Sequence, residues 1–184
     1  ELADKPVQSF LYSVDKIMER IIPETAKLAA PPLGIGIGIP GIIDIDRGIV
    51  IRSDPIQLHN FSYADTLRMR YGIPLIIEND AKCCAWLQCE NYRNNSGRDF
   101  LSVLTRNYKN NGRGCPDYYK YGIGVGLAAT MGGHVLYGHN YAFGEYISHS
   151  WKPNKAGQNG LPDAVINTVQ TNDDSYAEFI RDLF

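Results

Sequence analysis

The segment Leu33-Gly-Ile-Gly-Ile-Gly-Ile39 constrains the fold of this chain more than any other stretch. A helix would lose about 1 kcal/mol at each interior glycine, whereas β-branched isoleucine at every second position suits a strand. The alternation predicts a strand over Leu33 to Ile39 with one face bare of side chains, where another backbone or a ligand can approach closely. Pro40-Gly41 is a turn signal, after which Ile42 to Ile45 resumes the strand pattern. Asp46-Arg47-Gly48 turns the chain again into Ile49 to Arg52.

Helical periods flank this core of strands. Val7, Phe10, Leu11, Val14, Ile17, Met18, Ile21 and Ile22 follow the spacing of one helical face, and Pro23 is expected to end or kink that helix. Ser62 is placed to cap a short helix through Tyr71, with Gly72 as its stop. Pro74 to Ile77 reads as a brief strand, followed at once by Glu78-Asn79-Asp80 and a buried helix over Ala81 to Asn91. Leu101 to Leu104 and Tyr121 to Thr130 are further strands, and Gly132-Gly133 is a hairpin turn into His134 to Tyr137. Strands alternating with helices indicate an α/β or α+β sheet layered with helices. The tail after Ser150 reads as polar, then helical from about Leu161.

Composition narrows the function classes. Of 184 residues, 44% are hydrophobic and 21% charged, as expected for a globular chain of one domain or one and part of a second. A formal net charge of −2 gives no global positive field to recruit nucleic acid or an anionic membrane. The longest apolar stretches are broken by Gly and Pro, so neither a membrane span nor a signal peptide is read. Cys83, Cys84, Cys89 and Cys115 form no CxxC pair, which predicts cytosolic thiols and a cytoplasmic protein. The chain opens at Glu1 without Met and its last segment reads as a helix stopped mid-course, so a piece of a longer protein is expected.

Three blocks in order carry a family resemblance: Gly34-Ile-Gly-Ile-Gly-Ile-Pro-Gly-Ile-Ile-Asp44, then Gly72-Ile-Pro-Leu-Ile-Ile-Glu-Asn-Asp-Ala81, then Gly122-Ile-Gly-Val-Gly126 with Gly133-His-Val-Leu-Tyr-Gly138 and Gly144-Glu145. Together, from about Leu33 to Glu145, they resemble the ROK family (repressor, open reading frame, kinase), and within it the xylose-repressor type. The resemblance implies an actin-like (ribonuclease H-like) ATPase fold of two lobes with a sugar in the cleft between them. Residues 1–140 would form the N-terminal lobe without its first hairpin, and residues 141–184 the truncated start of the second. Asn79 and Asp80 would hydrogen-bond sugar hydroxyls, and in a kinase Asp80 would be the general base. Glu145 would grip hydroxyls from the opposite side, and Gly41 and His149 complete the implied sugar-binding set. Gly122, Gly124 and Gly126 resemble a phosphate-binding turn.

The chemistry of these residues stands beside the resemblance. A carboxamide and a carboxylate at the C-terminal end of a strand sit where open α/β sheets bind ligands, and their donors and acceptors suit vicinal diols. Asn79-Asp80 would equally serve to cap the helix that follows. Glu145 taken alone reads as a solvated surface carboxylate, and the Gly122 to Gly126 run reads as a glycine-rich strand packed closely in its sheet.

The sequence departs from the family's kinases in four ways. It contains no Asp-x-Gly-x-Thr phosphate loop; the family's Gly-Thr-Gly is Gly122-Ile123-Gly124; and a polar, tyrosine-bearing insert of about fifteen residues, Arg106 to Lys120, opens that hairpin. Each damages ATP use, because phosphoryl transfer depends on positioning and electrostatics. Fourth, Gly144-Glu-Tyr-Ile-Ser-His149 is followed by no cysteine, so the family's zinc site lacks its thiolates and no metal is expected. An ungapped alignment also puts Ser148, not His149, at the family's histidine position. The reading is therefore a sugar-binding effector domain of a homodimeric repressor without cofactor, its DNA contacts made by a segment outside this chain. The alternative is an ATP- and Mg-dependent sugar kinase, and a degenerate member that only dimerises is a third reading.

Overall fold

The computed structural model describes residues 5–25, 27–92, 99–107 and 123–146. In order they form α1 (Lys5–Thr25), β1 (Ile35–Ile39), β2 (Ile42–Asp44), β3 (Ile49–Ser53), β4 (Leu58–Ser62), α2 (Tyr63–Tyr71), β5 (Leu75–Asn79), α3 (Asp80–Asn91), β6 (Phe100–Asn107), β7 (Ile123–Met131) and β8 (His134–Val135). The chain divides into two compact units, Glu1–Asp80 with Asn140–Ala142, and Ala81–His139 with Phe143–Phe184.

In the first unit β1 and β5 pair in parallel, Ile35 opposite Leu75 and Ile39 opposite Asn79. A parallel pair needs a long crossover, which the antiparallel meander β2-β3-β4 and α2 supply. The alternation in β1 works as the sequence predicts: Ile39 is buried, while Gly36 and Gly38 lie on an exposed face. In β5, Leu75 and Ile77 face the core and Ile76 is 72% exposed. Ile39, Leu75 and Ile77 pack with Val50 and Leu58 of the meander, with Tyr63 and Leu67 of α2, and with Val14 and Met18 of α1.

Four details differ from the sequence reading. Helix α1 runs through to Thr25 with Pro23 inside its last turn, where the missing N–H forfeits one hydrogen bond without ending the helix. Its apolar stripe is used only as far as Met18: Ile17 lies off the buried line, Ile21 and Ile22 follow the last core residue, and all three are exposed. Strand β4 was not legible, because Gln57 and Asn60 take positive φ and break the period that would reveal it. At Ser62 the hydroxyl donates to the Asp65 carboxylate and makes no cap hydrogen bond, whereas Gly72 closes α2 in the left-handed conformation as expected. Tyr71 and Arg70 at the end of α2 both donate to Asp15 of α1, fastening the two helices.

In the second unit β6 and β7 pair antiparallel from Phe100–Thr130 to Asn107–Ile123. Arg106 and Asn107 thus belong to the ladder, not to the inserted loop that the sequence assigned them; residues 108–122 lie outside the described residues. Gly132 and Gly133 both have positive φ, the requirement of a tight hairpin turn, and β8 follows but stops at Val135. Ala81 and Ala85 of α3 pack with Ala128 and Val135, and Gly126 lies so close to Ala81 that an added Cβ would sit 3.0 Å from its methyl. Helix α3 is less buried than its composition suggests, with Leu87 61% exposed. Among the described residues no helix is long and apolar enough to cross a membrane.

The Tyr63 ring is fully buried between Phe10 and Phe61, yet its hydroxyl has no hydrogen-bond partner among the described residues. Burial first, and Tyr71 second, push that phenol well above its ordinary pKa. Tyr63→Phe keeps the ring and removes the desolvated hydroxyl, so urea denaturation should show stability unchanged or raised by about 1 kcal/mol. Tyr63→Ala should lose about 3–5 kcal/mol through the cavity it leaves. A loss above about 1 kcal/mol in Tyr63→Phe would mean that the hydroxyl is bonded in solution.

Candidate functional site at the β5–α3 junction

Two parallel strands end side by side at Ile39 and Asn79, so the turn after β1 and the helix start after β5 share one edge. This is the C-terminal edge of the pair, where open α/β sheets carry ligands. Gly41 follows with φ +119, and a Cβ there would lie 2.2 Å from the Arg52 carbonyl oxygen, so this position admits only glycine. Ser53, fully buried at the end of β3, donates its hydroxyl to the Pro40 carbonyl at 2.5 Å.

Asn79 is 6% exposed, and its Nδ2 donates to the Gly41 carbonyl at 2.9 Å. The Glu78 carboxylate accepts the Asn79 backbone N–H at 2.7 Å. Asp80, half-buried, opens α3, where the positive end of the helix dipole favours a carboxylate. The structure therefore brings Gly41, Asn79 and Asp80 together in the first unit. A buried amide clamps the turn, and a more accessible carboxylate stands at a helix N-terminus beside it.

Of the remaining expected residues, those described belong to the second unit. Glu145 is exposed and forms an isolated antiparallel bridge with Gly126 in the second unit. Gly144 before it has φ +91, and a Cβ there would stand 1.9 Å from the Leu127 carbonyl oxygen, so glycine is required for the chain to meet β7. Gly124 and Gly126 lie within β7, opposite Arg106 and Leu104. Gly122 and His149 lie outside the described residues. Among the described residues no three His, Cys, Asp or Glu side chains gather as a metal site.

Two polar groupings escaped the sequence reading. Lys82 is 1% exposed, its ammonium 5.4 Å from the centre of the Tyr137 ring, and Tyr137 Oη accepts the Trp86 indole N–H at 2.9 Å. Its place beside Ala81 and Ala85 was the available signal. Tyr141 donates its phenol to Asp46 at 2.6 Å, a pairing 95 residues apart that no local pattern announces.

Comparison with known proteins defines first the class and then the family. The fold matches that of a ROK family transcriptional regulator homologous to the E. coli MLC protein, at TM-score 0.54 and 19% identity over 92% of this chain and 41% of that one. It likewise matches a candidate N-acetylmannosamine kinase of Listeria monocytogenes, at TM-score 0.55 and 19% identity over 88% and 58% of the two chains. The class is thus the actin-like α/β fold. The sequence profile described as the ROK family matches residues 5–106, and the chain belongs to that family.

Among curated relatives, a candidate xylose repressor of Caldicellulosiruptor sp. strain Rt8B.4 is 37% identical over 78 residues, 39% of this chain and 20% of the relative. A glucokinase of Halalkalibacterium halodurans is 27% identical over 142 residues, 74% of this chain and 38% of the relative. The chain thus spans well under half of either, and the family holds both repressors and sugar kinases.

The Asn79–Gly41 hydrogen bond predicts the behaviour of Asn79→Asp, which is isosteric but sets a carboxylate oxygen against a carbonyl. Stability at neutral pH should fall by about 2 kcal/mol or more. The folded-state carboxyl should titrate above its unfolded value, since a protonated acid can donate to Gly41. The loss should therefore shrink as pH falls through that raised pKa. Urea midpoints of wild type and variant between neutral and acidic pH check this, and a pH-independent difference would contradict it.

Proposed function

We propose that this chain is the sugar-binding effector module of a ROK-type transcriptional regulator, responding to a monosaccharide or short oligosaccharide. The observation that carries the reading is the junction of Asn79 and Asp80, a clamped carboxamide and a carboxylate at the C-terminal edge of the β1–β5 pair. A carboxylate there can accept two hydroxyl donors from a vicinal diol. Gly41 shapes the turn beside it, while Glu145 and His149 are the further groups we assign to the sugar.

Two features favour a sensor over a kinase. In the family's Gly-Thr-Gly, the middle position is Ile123, which has no hydroxyl for a phosphate. That run continues as β7, where Gly124 and Gly126 are ladder residues. The higher identity to the xylose-repressor relative points the same way, although over a shorter span. In this reading sugar binding shifts a conformational equilibrium that a dimer transmits to DNA through a segment outside this chain. No cofactor is required. The glucokinase relative keeps an ATP-dependent kinase with Asp80 as base as the second reading.

The test is calorimetric titration of wild type and Asp80→Asn with xylose, glucose and N-acetylmannosamine, alongside a coupled ATPase assay. Charge-assisted hydrogen bonds to hydroxyls are worth about 1.5–3 kcal/mol each, so affinity for the best sugar should fall about tenfold or more. Urea denaturation of both proteins beside the titration separates a loss of fold from a loss of the sugar contact. Equal affinity in both proteins would remove Asp80 from the site. Sugar-dependent ATP turnover by wild type, lost in the variant, would instead favour the kinase.

A further inference from the structure

The turn after β1 has little of its own to hold it. Proline fixes its own φ but leaves ψ free, and glycine restricts neither torsion. Pro40-Gly41 therefore joins the end of β1 at Ile39 to the start of β2 at Ile42 through soft torsions alone. Gly41 nonetheless takes a defined φ of +119°. Two hydrogen bonds from outside the turn settle its conformation: Ser53 Oγ donates to the Pro40 carbonyl at 2.5 Å, and Asn79 Nδ2 donates to the Gly41 carbonyl at 2.9 Å. All of these residues belong to the first unit.

The donor at Ser53 is itself held. Ser53 closes β3, the middle strand of the β2-β3-β4 meander, opposite Leu58, and both residues are fully buried. Arg52 before it pairs with His59 of β4, and its guanidinium donates to the Asp54 carboxylate from Nε at 2.8 Å and from Nη2 at 2.6 Å. The end of β3 is thus a fixed template against which the turn is laid. Across a trans peptide the carbonyl and the following N–H point in opposite directions, so a Pro40 carbonyl held by Ser53 turns the Gly41 N–H away from it. That N–H has no hydrogen-bond partner among the described residues. A hydroxyl-rich ligand calls for donors as well as for the acceptor that a carboxylate supplies.

We propose that Ser53 is a positioning residue for the site at the β5–α3 junction: its hydroxyl fixes the Pro40–Gly41 peptide, and through it the turn to which Asn79 is bonded. The consequence for a ligand rests on the sugar-binding reading above, and the consequence for the turn does not.

Solution NMR on the whole chain without ligand tests the turn. In Ser53→Ala the Asn79 side-chain amide should exchange about tenfold faster or more, and the Gly41 backbone amide signal should move. Val50→Ala hollows the core from the same strand and is the control for lost stability. In it the Gly41 signal should stay in place and Asn79 exchange should remain within about threefold of wild type. Urea denaturation fixes conditions in which each protein is folded. If Ser53→Ala does not fold, Ser53→Cys, whose thiol is a weaker donor, is read in its place. Unchanged Asn79 exchange in the Ser53 variant would overturn the proposal, and so would an equal rise in Val50→Ala. Calorimetric titration with the sugar that wild type binds best adds a readout that stability alone does not move. Affinity should fall about fivefold or more in the Ser53 variant and be kept in Val50→Ala. Wild-type affinity in the Ser53 variant would remove Ser53 from the site. Wild type that binds no sugar would sink the sugar reading, and the exchange comparison would still decide whether Ser53 holds the turn.

Discussion

The hydrogen bond from Asn79 Nδ2 to the Gly41 carbonyl ties together the parts on which the rest depends. It joins the end of β5 to the turn that leaves β1, at the point where the two parallel strands finish opposite one another. The same turn is held from a third side by Ser53, and Gly41 is pressed against the Arg52 carbonyl too tightly for any side chain. Parallel strand pairs expose their functional edge where strands give way to turns and helices. Here that edge is clamped by a buried amide, so Asp80 begins α3 from a fixed point.

That clamp explains how a short motif can serve two purposes. Asn79-Asp80 in isolation reads equally as a helix start or as a ligand group, and the structure separates the two residues by environment. Asn79 is buried and committed to Gly41, whereas Asp80 is half-buried at a helix N-terminus. The amide is committed within the fold and the carboxylate is the more accessible of the two, so on the sugar reading Asp80 is the residue to vary.

Much of the fold was legible because its signals are local. Alternating isoleucine and glycine declare β1, Gly72 stops α2, and Gly132-Gly133 makes the β7–β8 turn. The misses have a common cause in tertiary context. Strand β4 hides behind two positive-φ residues, and β6 extends into Arg106 and Asn107 because β7 lies opposite. At the site, Gly41 and Asn79 could be named from sequence but their mutual hydrogen bond could not, because it spans 38 residues. Tyr141 was silent for the same reason, its partner Asp46 being 95 residues away.

On the proposed function a sugar binds at the β5–α3 junction. The most direct measurement is a solution NMR titration with the sugars named by the relatives, xylose, glucose and N-acetylmannosamine, following the Asn79 side-chain amide and the backbone amides of Gly41, Asp80 and Ala81. One of these sugars should shift those signals saturably and leave the exposed face of α1, around Ile17 and Ile21, unmoved. Saturable shifts confined to other parts of the chain, with the junction signals stationary, would contradict it.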